Sequence, residues 1–243
     1  MTKRAPVHLM SSRDGSIRYT TDGRFIYAEK DGAEVRLDLF SGRYYKLRPY
    51  NGVPVLEIDG LRMQLVRDFR TPLDYSKEVV KALGIPRSGS FTVLDTCMGL
   101  GYTAIAAASV PSVSMVVTCE VSEAVIQLAR WNPFSDPVFE KGGRITLLKG
   151  DISEHMRNFA PKMFDFAIHD PPRLTHAPEL YSAAFYGELR RVCRDGARVF
   201  HYVGAVGKGK GRRIDREVSE RMEAAGFREL RYVPRLKGIL GSR

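Results

Sequence analysis

Apolar and polar positions alternate in short runs over the first quarter of the chain, and strand-like and helix-like stretches alternate after it. Six runs between residues 16 and 66 carry the period of two expected of half-buried strands: 17–20, 24–29, 35–39, 43–47, 53–58 and 61–65. Thr21-Asp22-Gly23, Lys30-Asp31-Gly32, Ser41-Gly42, Asn51-Gly52 and Asp59-Gly60 stand between them. Asp-Gly and Asn-Gly tolerate the positive φ that tight hairpins require. This pattern predicts a small antiparallel β domain, or a pair of meanders, over residues 1–70, with the polar residues 1–12 frayed. Such a unit either caps the rest of the chain and supplies one wall of a cleft, or positions a substrate.

Residues 71–243 have a different texture. The segment 67–74 leads into a helix over 75–83. Residues 91–94 form an apolar, β-branched run that ends at Asp95, followed by a turn through Gly99 and Gly101 and a helix over 104–108. Further strands are predicted at 116–119, ending at Glu120, and at 145–149, ending at Gly150-Asp151. A fourth covers 164–168 and ends at His169-Asp170-Pro171-Pro172-Arg173. Asp195-Gly196 marks a turn before a fifth strand at 197–203. Residues 204–211 hold four glycines and two lysines without apolar periodicity and read as a loop. An amphipathic helix over 214–225 and a strand over 227–233 follow, with 236–240 expected as a hairpin partner at the sheet edge. Alternating strands and helices predict a parallel sheet covered on both faces, hence an α/β fold with a small N-terminal antiparallel β domain.

Composition narrows the class. A chain of 243 residues suits one full α/β domain with a small extension. No apolar run approaches the roughly eighteen residues of a membrane span, and no charged-then-apolar export signal opens the chain. Cys97, Cys119 and Cys193 are too few and too scattered for a disulfide framework or a zinc site, so neither a metal nor a membrane is expected. Cytoplasmic residence is the default. The formal net charge is +10, and residues 188–243 carry about fifteen Lys and Arg against about seven Asp and Glu. Such a balance favours polyanionic partners.

The chemistry gathers at the strand ends. Strand, glycine turn and helix let a backbone approach a nucleotide-like ligand, with helix amides pointing at it. A third dinucleotide glycine is missing, and so is the Gly-Lys-Ser/Thr of a phosphate-binding loop. Each acid taken alone reads equally well as a helix cap or a turn former. It is the ordered set at the tips of successive strands that points to a ligand.

Asp95 with Gly99 and Gly101, then Glu120, Asp151 and Asp170-Pro171-Pro172, resembles the class I S-adenosylmethionine-dependent methyltransferases over about residues 75–235. The fold class implied is a Rossmann-like class I methyltransferase sheet. Cys97 stands where that family usually has the first glycine of its loop. The resemblance implies S-adenosyl-L-methionine as cofactor. Asp95 would face its ammonium, Cys97, Gly99 and Gly101 would form the loop around it, and Glu120 with the adjoining Val121 would hold the ribose. Asp151 would receive the adenine amine, with Ile152 against the ring. Arg67, Asp68, Thr71 and Tyr75 would pass over the pocket.

Asp170-Pro171-Pro172 resembles the turn of methyltransferases that modify planar exocyclic nitrogens. In those enzymes the first side chain and a proline carbonyl accept hydrogen bonds from the amine, so positioning rather than strong basicity does the chemistry. Arg173 departs from that motif's aromatic residue, and Tyr181, Phe185 or Tyr186 would supply the aromatic face. His169, Arg173 and Tyr181 are therefore expected at the substrate, with Lys208, Lys210, Arg212 and Arg213 on a phosphate backbone. The stretch 95–104, together with His-Asp-Pro-Pro-Arg and Phe-His-Tyr at 200–202, looks like a group of archaeal Rossmann-fold enzymes. That resemblance implies an RNA partner, ribosomal, with N4-methylation or dimethylation of a cytidine in small-subunit ribosomal RNA. A second resemblance is to aminopropyltransferases of polyamine synthesis. These also join a small β domain to such a core and use decarboxylated S-adenosylmethionine. The positive charge and the Pro-Pro turn count against an aminopropyltransferase. The same residues also suit a protein-amide methyltransferase, or an RNA-binding protein that keeps the fold without catalysis.

Overall fold

A computed structural model describes residues 7–12, 14–204 and 214–243. The N-terminal part holds two four-stranded antiparallel meanders. The first comprises β1 (Val7–Ser11), β2 (Arg18–Thr21), β3 (Ile26–Lys30) and β4 (Ala33–Arg36) in sequential order. The second comprises β5 (Asp38–Ser41), β6 (Arg43–Tyr50), β7 (Val53–Ile58) and β8 (Leu61–Arg62), also in order. Asp31-Gly32, Asn51-Gly52 and Asp59-Gly60 all take positive φ at both positions, the conformation of the tight hairpin turn.

Three N-terminal expectations are corrected. Part of the segment expected to fray is strand β1, held against β2 by antiparallel pairing. The run 35–39 is two strands, because buried Leu37 turns the chain from one sheet into the other; its amide bonds to the Ile26 carbonyl and its carbonyl to the Leu47 amide. The run 61–65 leaves the sheet after one more backbone bond, from the Met63 amide to the Leu56 carbonyl, because the Gln64 side chain accepts the Leu56 amide at 2.7 Å in place of a strand carbonyl.

The second part begins with α1 (Pro72–Leu83). Thr71 and Asp74 form a capping box there, which starts the helix three residues earlier than predicted. Then come β9 (Phe91–Asp95), α2 (Tyr102–Ala108), β10 (Val113–Glu120), α3 (Glu123–Arg130), the short α4 (Asp136–Phe139) and β11 (Ile145–Lys149). The remaining elements are α5 (Ile152–Asn158), β12 (Phe164–His169), α6 (Ala183–Val192), β13 (Cys193–Tyr202), α7 (Ile214–Ala224), β14 (Arg228–Val233) and β15 (Gly238–Ser242). They build one seven-stranded sheet in the order β11-β10-β9-β12-β13-β15-β14. The strands from β11 to β13 pair in parallel, and β15 runs antiparallel to both its neighbours. The α/β class with N-terminal antiparallel sheets is thus as expected.

Two details of this sheet differ from what the sequence predicts. Asp195-Gly196 does not precede the fifth strand but lies inside β13 as an irregularity, so that β12 pairs with Cys193 and then resumes at Arg198. The last strand is not at the edge: it is inserted between β13 and β14. Glycine makes that insertion sterically feasible. A Cβ on Gly238 would lie 2.4 Å from the Phe200 ring, and one on Gly241 would lie 2.5 Å from Leu230 Cδ2.

The N-terminal part is packed on the second. One buried cluster runs from Tyr19, Ile26 and Leu47 through Val79, Leu83 and Val93 to Leu240. A buried polar chain crosses the same boundary. Asn132 Nδ2 donates to the Tyr102 hydroxyl at 2.9 Å, and that hydroxyl donates to the Pro54 carbonyl at 2.7 Å. Among the described residues no helix is long and apolar enough to cross a membrane.

Substituting Gly238→Ala is expected to lower stability by about 1–3 kcal/mol, through the overlap of the new methyl with Phe200. Urea denaturation measures this as a lower midpoint at unchanged slope. An unchanged midpoint would show that β15 is not wedged as described.

Candidate active site

A cavity of about 350 Å³ opens between the β5–β8 sheet and the carboxyl ends of β9, β10, β11 and β12. Its inner wall is the turn after β9. The Met98 amide bonds to the Cys119 carbonyl and the Gly101 amide to the Met98 carbonyl, both at 2.7 Å, which folds the loop back over the sheet. Cys97, Met98, Gly99 and Leu100 face the cavity. Gly101 does not, contrary to expectation. It takes φ +77°, and a Cβ there would lie 2.4 Å from Val138 Cγ2, so this glycine serves packing.

Glu120 is the joint of the site. One carboxylate oxygen accepts the Gly99 amide and the other the Ser122 amide, each at 2.9 Å. The glycine turn and the start of α3 are thereby held by one side chain, and each oxygen keeps a lone pair for a ligand. Burial pushes its carboxyl up, and the amides oppose that shift. Val121 beside it is 72% exposed, a large apolar side chain turned to the cavity rather than the core. Asp151 caps α5 by accepting the Ser153 amide at 2.7 Å and still lines the cavity, as does Ile152. For Asp151, the cap and the candidate ligand contact are both present in one residue.

Asp95 is a correction. It is wholly buried, does not line the cavity, and accepts the hydroxyls of Thr103 at 2.9 Å and Thr118 at 2.6 Å. It ties α2 and β10 to the end of β9 instead of facing a ligand. Burial, then the nearby Glu120 charge, pushes its carboxyl up to about 7 despite the two hydroxyls. The Cys97 thiol, which does line the cavity, is also pushed up by burial and stays protonated.

The turn after β12 brings Asp170, Pro171 and Pro172 to the cavity. Among the described residues the Asp170 carboxylate has no hydrogen-bond partner, and burial, then the charge of Asp95, pushes it up to about 7. The three residues expected beside it at the substrate are placed elsewhere. His169 is fully buried behind the turn, Arg173 is exposed away from the cavity, and Tyr181 is buried with its hydroxyl donating to the Pro172 carbonyl at 2.9 Å. Of the two proline carbonyls, either of which could receive an amine, that of Pro172 already has a donor. Phe185 stacks on His169, and Tyr186 bonds to His201, so neither offers an aromatic face. Lys208, Lys210, Arg212 and Arg213 lie outside the described residues.

Several cavity residues were not singled out from the sequence. Arg43, Tyr45, Met63 and Gln64 come from the N-terminal sheets, Ser76 from α1, and His176 and Glu179 from the segment after the Pro-Pro turn. Only their proximity in the fold identifies them. Tyr75, named for the linker over the pocket, does line the cavity, whereas Arg67 and Asp68 are exposed outside it and Thr71 is the helix cap. The Tyr75 hydroxyl is buried without a partner among the described residues, and burial and the charge of Asp170 raise its pKa. Among the described residues the cavity wall thus carries four carboxylates, Glu120, Asp151, Asp170 and Glu179, and one arginine, Arg43, which is paired with Asp59 at 2.6 Å. This described lining is acidic although the chain is basic, and a site of this sign favours cations.

No family model matches the chain. It is 38% identical over 220 residues to the uncharacterized protein MJ1233 of Methanocaldococcus jannaschii, covering 90% of this chain and 74% of that protein. It is 30% identical over 162 residues to polyamine aminopropyltransferase 2 of Streptomyces coelicolor, covering 62% of this chain and 29% of that one. Among solved structures, a spermidine synthase in complex with the transition-state analogue AdoDATO superposes with TM-score 0.70 and 17% identity, over all of this chain and 83% of that one. The phosphoethanolamine N-methyltransferase 2 of Haemonchus contortus superposes with TM-score 0.52 and 21% identity, over 66% of this chain and 39% of that one. The class I methyltransferase fold is therefore shared. The expected RNA-base methylation is overturned, because the structure that superposes over the whole chain, N-terminal sheets included, is a spermidine synthase, and a relative in sequence is a polyamine aminopropyltransferase.

Asp95 and Asp170 give the site a pH signature. Both carboxyls titrate at about 7 in the folded chain against an ordinary value of 3.8. Between those values these two groups bind more protons in the folded state than in the unfolded one, so their contribution to stability falls as pH rises through about 7. Buried His169 and His201, whose pKa values burial lowers, contribute the opposite slope below about 6.5, so the comparison with Asp95→Asn isolates the carboxyl. By urea unfolding, the stability of the wild type relative to Asp95→Asn should fall from pH 5 to 8, and a difference that grows over the same interval would refute the assignment.

Proposed function

The chain belongs to the family of the Methanocaldococcus jannaschii protein MJ1233, and from that premise we propose that it is an enzyme that transfers an aminopropyl group from decarboxylated S-adenosylmethionine to the nitrogen of a small amine. The observation that carries this reading is the acidic cavity closed by the N-terminal sheet. The amine acceptor is a cation at neutral pH, since an alkylamine has a pKa near that of lysine, about 10.4. The donor is a sulfonium carrying a second, terminal ammonium. The lining carboxylates Glu120, Asp151, Asp170 and Glu179 complement both. An intact S-adenosylmethionine would add a carboxylate to this acidic surface, where Arg43, already paired, is the sole arginine among the described residues.

In this reading Glu120 accepts the ribose hydroxyls with the lone pairs left by the Gly99 and Ser122 amides. Val121 and Ile152 flank the base. The sulfonium supplies an electrophilic carbon and departs as a neutral thioether. Asp170 takes the proton the attacking nitrogen must lose: the C–N bond forms, the C–S bond breaks with its electron pair going to sulfur, and the proton ends on the carboxylate. A carboxyl at about 7 is suited to this near neutral pH. The partnerless Tyr75 hydroxyl, raised by the same carboxylate, is a hydrogen-bonding group for that nitrogen.

The experiment supplies decarboxylated S-adenosylmethionine labelled in its propyl chain, together with a panel of di- and polyamines, and follows products by mass spectrometry. Labelled aminopropyl product is expected, with Asp170→Asn slower by about 10²–10⁴-fold. Failure of every amine to gain the label, or label moving only from the methyl group of S-adenosylmethionine, would sink the proposal.

A further inference from the structure

Asp170 poses a mechanical question. Its carboxylate has no hydrogen-bond partner among the described residues, and the two residues after it are prolines without an amide hydrogen. Nothing at its own position aims the side chain. The orientation has to come from the backbone immediately before and after: strand pairing with β13 holds it up to His169, and one buried ring ties it to the neighbouring turns.

His169 is 0% exposed. Its Nε2 lies 2.9 Å from the Leu180 carbonyl oxygen and its Nδ1 lies 2.7 Å from Thr96 Oγ1. A carbonyl only accepts, so Nε2 carries the hydrogen. Nδ1 then offers a lone pair, and the Thr96 hydroxyl donates to it. The ring stacks on Phe185 with centroids 4.6 Å apart and meets His201 at 4.4 Å, while Tyr186 holds His201 Nε2 at 2.9 Å. Thr96 belongs to the turn after β9, and Leu180 to the segment that returns from the Pro-Pro turn; both line the cavity. The Tyr181 hydroxyl holds the Pro172 carbonyl from that same segment. One neutral imidazole therefore joins three walls of the cavity at the residue preceding Asp170.

We propose that His169 is a positioning residue for Asp170, acting as a neutral Nε2–H imidazole that fixes the turn after β12 between Thr96 and Leu180. This rests on the reading that Asp170 takes the proton from the amine. His169 touches no substrate itself. Burial holds it at about 3, so it stays neutral through the working range. The facing groups are Thr96, Tyr181, Tyr186 and His201, none of them a carboxylate in contact with the ring.

Two variants separate the two halves of the clamp. His169→Asn keeps an acceptor near Thr96, and His169→Gln keeps a donor toward Leu180. Each is expected to lower kcat by about 10–100-fold, the cost of a small misplacement of a reacting group. KM for the donor should stay within about threefold, and the acidic limb of the pH profile should persist. Nitrogen-15 NMR of the wild type should show a neutral Nε2–H ring from pH 5 to 9. Unchanged kcat in both variants overturns the proposal. So does loss of donor binding in step with kcat, disappearance of the acidic limb, or a ring protonated at Nδ1. If the variants do not fold, Tyr181→Phe releases the Pro172 end of the same segment and is read by the same kinetic split. If the wild type turns over no amine, the proposed reaction fails. The carboxyl-carbon resonance of Asp170 then decides: a shift in His169→Gln supports the positioning role, and an unchanged resonance ends it.

Discussion

Three carboxyl groups, Asp95, Glu120 and Asp170, are drawn together under the carboxyl ends of the sheet without a cation among the described residues to pair with any of them. That constraint organises the rest of the site. Burying like charges is costly, and the chain meets the cost differently for each. Asp95 is given two threonine hydroxyls and Glu120 two backbone amides, whereas Asp170 is given nothing and faces the cavity. The two satisfied groups build the frame, and the unsatisfied one is left for chemistry. A cation entering the cavity relieves the repulsion that folding leaves in place.

The N-terminal sheets belong to this arrangement. The cavity exists because they close over the strand ends, and their attachment through Asn132, Tyr102 and Pro54 is polar and buried, so it fixes their placement as well as their proximity. Arg43, Tyr45 and Gln64 reach the cavity from the N-terminal part, far from the Pro-Pro turn in sequence. Tyr75 and Ser76 enter from α1, whose start is set by the Thr71–Asp74 box.

The alternation of strand and helix, the hairpin turns and the acids at the strand tips could all be read from the sequence, because each follows from local periodicity or from residues that tolerate special backbone angles. Glu120 and Asp151 were legible for that reason. Asp95 was misjudged because a strand-end carboxylate can point to either side, and which side is decided by Thr103 and Thr118 on other elements. His169 and Tyr181 looked like substrate contacts because they adjoin the turn, and burial behind it is a property of the assembled layers. The reaction was misjudged through charge: the +10 of the whole chain says nothing of the sign inside one cavity, whose described lining carries four carboxylates. The place of β15 was hidden because strand pairing across the sheet leaves no local mark beyond the glycines that permit it.

That insertion bears on the order in which the molecule can assemble. β13 pairs on one side with β12, its predecessor, but its other side is closed only by β15, and β14 joins the sheet only through β15. Without residues 238–242, β13 has an open flank of unpaired amides and carbonyls, and β14 has no strand partner. The last two strands therefore join the sheet as one unit, through contacts far apart in sequence, the kind of pairing that slows folding.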